Sequence, residues 1–140
     1  ALFRAGFASQ PVARNLSDGM VLFDIFITAI CRCVPPDNKP TREEVINCRD
    51  YLVNETACFK EVKGIVALGK IAYEATLQAL ALVSKNEPAP AFGHGVLFQP
   101  QAKPWVLASY HPSRQNTQTG RLTPAMFDQI WEKAGKLLAG

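Results

Sequence analysis

One short tract concentrates the side chains that could do chemistry. Ser109-Tyr110-His111-Pro112-Ser113 is followed by Arg114, Gln115, Asn116, Thr117, Gln118, Thr119 and Arg121. A neutral imidazole at the end of a buried strand can donate one strong hydrogen bond to an oxygen on which negative charge develops. Pro112 stiffens the exit from that position. The residues beyond it are hydrogen-bond donors, two of them cations, and suit contacts to phosphates and base edges. A histidine that merely caps a strand, followed by a solvated polar loop, fits the same residues. Charge placement bears on the same stretch. No Asp or Glu lies between Glu87 and Asp128, and the Lys103, Arg114 and Arg121 of that window match the whole net charge of +3. An excess confined to one stretch marks the place for an anionic partner.

Pro35-Pro36-Asp37-Asn38-Lys39-Pro40 is the second candidate. Its prolines restrict the backbone, so a side chain there is placed at low entropic cost. Asn38 suits the orientation of a water or a substrate carbonyl, and equally suits a turn. Cysteines stand at 31, 33, 48 and 58. Their number and context do not fit a disulfide scaffold, so they are core thiols or metal ligands. A closed four-cysteine zinc site is not expected. The Cys31-x-Cys33 spacing is tighter than the usual pairs, and Cys48 and Cys58 form no pair. Two ligands of an iron–sulfur site remain open, since a cluster takes four. Cys31 and Cys58 read as buried, reduced thiols. Val66-Ala67-Leu68-Gly69-Lys70 lacks the several glycines of a phosphate loop and reads as a tight strand-to-helix turn. No G-x-S-x-G elbow occurs, so a small-molecule α/β hydrolase built on His111 would lack its nucleophile.

Those residues need elements to hold them. The 140 residues, 48% hydrophobic and 19% charged, suit one globular domain and exclude disordered and collagen-like classes. No apolar run is long enough to span a bilayer, and the start has no long apolar leader. The chain reads as intracellular, hence cytoplasmic. Leu2–Phe7 reads as the end of a helix. Val21–Arg32, nearly continuous in apolarity, reads as a strand buried on both faces. Thr41 and Glu44 form a capping box for a helix to about Phe59. Gly64–Leu68 reads as a strand, Lys70–Val83 as a helix, and Phe92–Gln99 and Trp105–Tyr110 as two strands. His111–Thr123 is expected to be strand-free, and Pro124 opens a last helix, Ala125–Leu138. Helices alternating with strands indicate an α/β fold, three-layer αβα around a largely parallel sheet. The loops Cys33–Pro40 and His111–Thr123 both follow strands, so they are expected on one sheet edge, where open α/β sheets bind ligands.

Together, Arg32–Thr41, Cys48, Ile65–Gly69, Phe92-Gly93-His94-Gly95 and above all Ser109–Thr123 resemble the iron–sulfur uracil-DNA glycosylases, and most of all their type-5 branch. The resemblance runs over nearly the whole chain. It implies a DNA-repair enzyme that flips uracil, or another deaminated base, out of DNA and hydrolyses its N-glycosidic bond. It implies that His111 hydrogen-bonds the base oxygen and that Asn38 positions water. Ser109, Pro112, Ser113, Arg114, Gln115, Asn116 and Thr117 are implied to meet DNA, and Arg121 its phosphate. Cys33 and Cys48 match two of the four ligands of a [4Fe-4S] cluster. Ala29 stands where the related type-4 enzymes carry a uracil-reading Asn, which weakens strict uracil selectivity. The family's front segment, with two further cluster cysteines, a strand and a glycine-rich pocket loop, is not among these residues. The chain is therefore expected to be a monomeric, N-terminally truncated domain with little activity alone. A DNA-binding module without catalysis, using the basic loop 111–123, is the alternative reading.

Overall fold

Local signals place the helices. In the computed structural model, which describes residues 1–32, 34 and 39–140, α1 spans Arg42–Ala57. Thr41 accepts from the Glu44 N–H while the Glu44 carboxylate accepts from the Thr41 N–H, the expected reciprocal cap. β1 is Gly64–Leu68 and α2 is Lys70–Ala79. β2 is Leu97–Phe98 and β3 is Trp105–Ser109. A short α3, Arg114–Gln118, and a long α4, Pro124–Ala139, complete the order. Thr123 caps α4 by accepting from the Met126 N–H, and Pro124 occupies its first turn, where a missing N–H costs nothing.

The chain gathers into two compact units, residues 28–111 and residues 1–27 with 112–140. The first unit holds a three-stranded sheet in the order β1-β3-β2. β1 and β3 run parallel, with Gly64 opposite Trp105 and Leu68 opposite Ser109. β2 pairs antiparallel with β3. The fold is α/β with a small mixed sheet, so the expected parallel character belongs to the β1–β3 pair. A Cβ on Gly64 would lie 1.9 Å from the Trp105 indole, so glycine there makes room for the ring opposite it. Ala67, Val106, Ala108 and Phe98 from the sheet join Tyr73 and Leu77 of α2 and Leu82 in one buried cluster. Each fully buried aliphatic side chain of this kind contributes roughly 1.5–3 kcal/mol. α1 packs against α2, burying Cys48 and Leu52.

In the second unit, Phe7 packs edge-on against Trp131 at 6.0 Å, and Phe127 does the same at 5.8 Å. Arg4 grips Asp128 through two hydrogen bonds of 2.9 and 2.7 Å. The helical end expected at Leu2–Phe7 is a single turn. The Gly6 N–H reaches Phe3 O, the Phe7 N–H reaches Leu2 O, and Gly6 sits at φ 84. That is the Schellman pattern of a helix terminus.

Several expectations are corrected. Val21–Arg32 forms no strand; its one ladder contact is the Ala8–Leu22 bridge. An apolar strand needs partners for its N–H and C=O groups and cover on both faces. Here Phe23, Phe26 and Ile27 are exposed, and Asp24 at φ 55 breaks the extended run. Among the described residues, therefore, no strand leads up to residue 33. β2 is far shorter than Phe92–Gln99, because residues 93–96 turn. α2 stops at Ala79, where Ala81, at φ 48, closes a left-handed cap. Cys58 is exposed at the C-cap of α1, and Cys31 is half-buried.

Candidate active site

The sequence singles out His111, and the sheet explains its placement. β3 is buried at every position, and His111 follows two residues after its end, exposed. The backbone leading to it is tightly held. The Gly69 N–H donates to Ser109 O at 2.8 Å, and the Tyr110 N–H donates to His94 Nδ1 at 3.1 Å. Both ends of the 109–110 peptide unit are thus fixed. Gly69 stands at φ 96 and ψ 161, a conformation closed to side-chain-bearing residues, and a Cβ there would lie 3.2 Å from His111 Cβ. The strand-to-helix turn read from Gly69 is present, and its close approach is to the histidine.

Ser109 is 0% exposed, and its hydroxyl donates to Tyr110 O at 2.9 Å. Its side chain serves the strand end internally, where the resemblance had grouped it with surface contacts to DNA. With the backbone before it so fixed, His111 needs less ordering before it donates to an oxygen in a substrate, and such preorganisation is what electrostatic catalysis needs.

The tract after it, expected to be a strand-free loop, has no strand but contains α3. Ser113 caps that helix by accepting from the Asn116 N–H at 3.2 Å. Ser113 with Asn116 three residues on was the available signal, since serine is a favoured N-cap. The Leu122 N–H closes back on Asn116 O at 3.0 Å, and Leu122 is buried. Gly120, at φ 73, allows that reversal. Pro112, Arg114, Gln115, Thr117 and Arg121 are exposed, while Ser113 and Asn116 are half-buried. The helix thus holds Arg114 and Gln115 outward on a short, capped support.

Cys33 and Asn38, and with them most of the proline loop, lie outside the described residues. Cys48 is buried, and its Sγ accepts the Arg32 N–H at 3.4 Å. Arg32 is itself held: its guanidinium bonds Glu55 and Thr28 and lies 5.7 Å from the Tyr51 ring. A sulfur that already accepts a backbone N–H suits a thiolate ligand, because such bonds stabilise charge on sulfur. Among the described residues no group of three or more His, Cys, Asp or Glu could hold a metal ion. No helix among them is long and apolar enough to cross a membrane.

Sequence reasoning missed His94 and the part played by Gly69. The spacing of Phe92-Gly93-His94-Gly95 was visible, but the pairing of residue 94 with residue 110 is long-range.

Comparisons with known proteins identify the family. Residues 1–135 match the family described as the uracil DNA glycosylase superfamily, and the chain belongs to it. Within that class it is similar to type-5 uracil-DNA glycosylases. The relative from Mycobacterium leprae is 43% identical over 138 residues, covering 98% of this chain and 59% of its own length. That from Thermus thermophilus is 43% identical over 139 residues, covering 99% of this chain and 61% of its own. A type-4 uracil-DNA glycosylase from Pyrobaculum aerophilum is 38% identical over 77 residues, 54% of this chain. The chain therefore spans a little over half the length of the curated type-5 relatives it matches.

Proposed function

We propose that the complete protein is a DNA-repair glycosylase that removes uracil, and other deaminated bases, from DNA as a monomer in the cytoplasm. The observation that carries this reading is His111, exposed beyond a buried strand and directly after the 109–110 peptide unit, which is fixed at both ends, in a chain of this family. A target base must leave the helix to reach such a site. As the C1′–N bond breaks, electrons pass to the base and the sugar becomes oxocarbenium-like. The His111 imidazole donates a hydrogen bond to the base oxygen that gains charge. Water adds at C1′ and loses a proton, and the base leaves and is protonated. Asn38 is assigned the positioning of that water.

Pro112, Ser113, Arg114, Gln115, Asn116 and Thr117 are assigned to the DNA around the vacated position, and Arg121 to a phosphate. Arg114, Gln115 and Arg121 are exposed, as that role needs. Ser109 acts indirectly, by shaping the strand end. Cys33 and Cys48 are proposed as two ligands of a [4Fe-4S] cluster, whose other two ligands come from outside these 140 residues. When bound, the cluster would link Cys33 to α1 through Cys48, and no step of base release passes through it.

The test incubates uracil-containing duplex DNA with the complete protein and measures abasic sites, with this 140-residue portion assayed beside it. Abasic sites from the complete protein, and few or none from the portion, support the reading. Salt-dependent DNA binding with no base release would point instead to a binding module that lacks catalysis.

A further inference from the structure

The β2–β3 ladder stops being regular next to His111. Leu97 faces Leu107 and Phe98 faces Val106, and the next bond, the Ala108 N–H to Val96 O at 2.8 Å, keeps that register. A regular antiparallel ladder would then send the Tyr110 N–H to the backbone carbonyl of residue 94. It does not, because the chain turns first. The Val96 N–H closes on Gly93 O at 3.2 Å, and Gly95, at φ 78, fills the third position, the pattern of a type II turn. The Gly95 N–H then takes Ala108 O at 2.8 Å. Tyr110 would lose its acceptor two residues past a fully buried position, yet its N–H finds the His94 side chain, Nδ1, at 3.1 Å. The imidazole also lies against the Tyr110 ring, with centroids 5.0 Å apart.

We propose that His94 is a positioning residue for His111: its Nδ1 replaces the strand acceptor that the turn removes and fixes the 109–110 peptide unit, the one just before the peptide that carries His111. To accept that bond, the imidazole must be neutral with its proton on Nε2. His94 touches no reacting atom in this account and acts only through the backbone. The proposal rests on the glycosylase reading for its kinetic consequence, not for the bond itself.

Two variants separate the acceptor from the ring. His94→Phe keeps an aromatic ring to stack on Tyr110 and loses the acceptor. His94→Asn places an amide oxygen the same number of bonds from Cα as Nδ1 and loses the ring. In the complete protein, His94→Phe is expected to lower the single-turnover rate of base release about five- to tenfold, the size of one lost hydrogen bond. DNA affinity is expected to stay unchanged, and His94→Asn to recover most of the rate. Equal rates for wild type and His94→Phe, or a His94→Asn as slow as His94→Phe, would overturn the proposal.

A measurement on the unmutated protein decides the bond independently. ¹⁵N NMR is expected to show His94 Nδ1 as the unprotonated ring nitrogen, with scalar coupling to the Tyr110 amide nitrogen across the hydrogen bond. A protonated Nδ1, or no coupling, would overturn it. If the complete protein releases no base, the glycosylase reading fails while this coupling still decides whether His94 holds the peptide.

Discussion

Gly69→Ala tests how His111 is held. At φ 96 and ψ 161 an alanine is strained wherever there is space for it, at about 1–3 kcal/mol. There is little space: the new Cβ would stand 3.2 Å from His111 Cβ, where carbons in contact prefer roughly 3.5–4.0 Å. His111 must therefore give by a few tenths of an ångström. A misplacement of about 1 Å costs on the order of a hundredfold in rate, so this shift scales to roughly a few-fold to tenfold. Gly19→Ala is the control. Gly19 has a positive φ of 78 and nothing within 4 Å of its would-be Cβ. Alanine there adds backbone strain of about 1–2 kcal/mol and its Cβ meets no neighbouring atom. The assay pairs urea unfolding with single-turnover base release in the complete protein. Both variants are expected to lose stability, and only Gly69→Ala to lose rate while still folded. A Gly69→Ala protein with wild-type stability and rate, or two variants that lose rate equally, would refute the reasoning.

Four further outcomes follow from the packing and charge. Gly64→Val drives a side chain into the Trp105 indole, so it is expected to cost at least about 1–3 kcal/mol by urea unfolding. Ala81→Gly relieves a left-handed residue at the end of α2 and is expected to raise stability by about 0.5–1 kcal/mol, read by the same method. Arg121→Ala is expected to weaken DNA binding at all sequences alike and to flatten the plot of log affinity against log salt by roughly 0.9, one phosphate contact. The hydrogen bonds from Arg4, with its charge, hold the Asp128 carboxyl below the usual carboxylate range. A lowered folded-state pKa stabilises above the ordinary value near 3.9 and is lost as pH falls through the folded value. Asp128→Asn should therefore be slightly less stable than wild type at neutral pH, with the gap closing below about pH 4 in thermal unfolding.

What was legible in the sequence was local. Thr41 with Glu44, Pro124 after Thr123, and Gly69 between a β-branched run and a helix act within a few residues, and each lies where it was read. Long-range pairing was not legible. Val21–Arg32 has strand composition, but a strand also needs a neighbour, and among the described residues it has one bridge. β2 was overread because the Gly93–Val96 turn competes with the ladder. α3 was missed because its polar residues carry no apolar period; its cap residues were the signal. The place of His111 just beyond β3 was legible from its tract. His94 was not, because its value lies in replacing a backbone acceptor, which only the register of β2 on β3 reveals.

The central claim is that His111 stabilises the departing base, and its most direct test is His111→Ala in the complete protein. Uracil release from duplex DNA is measured at saturating protein, with DNA binding measured in parallel. Loss of one such donor is expected to slow release by on the order of a hundred- to a thousandfold while binding is retained. Release at the wild-type rate would contradict the account.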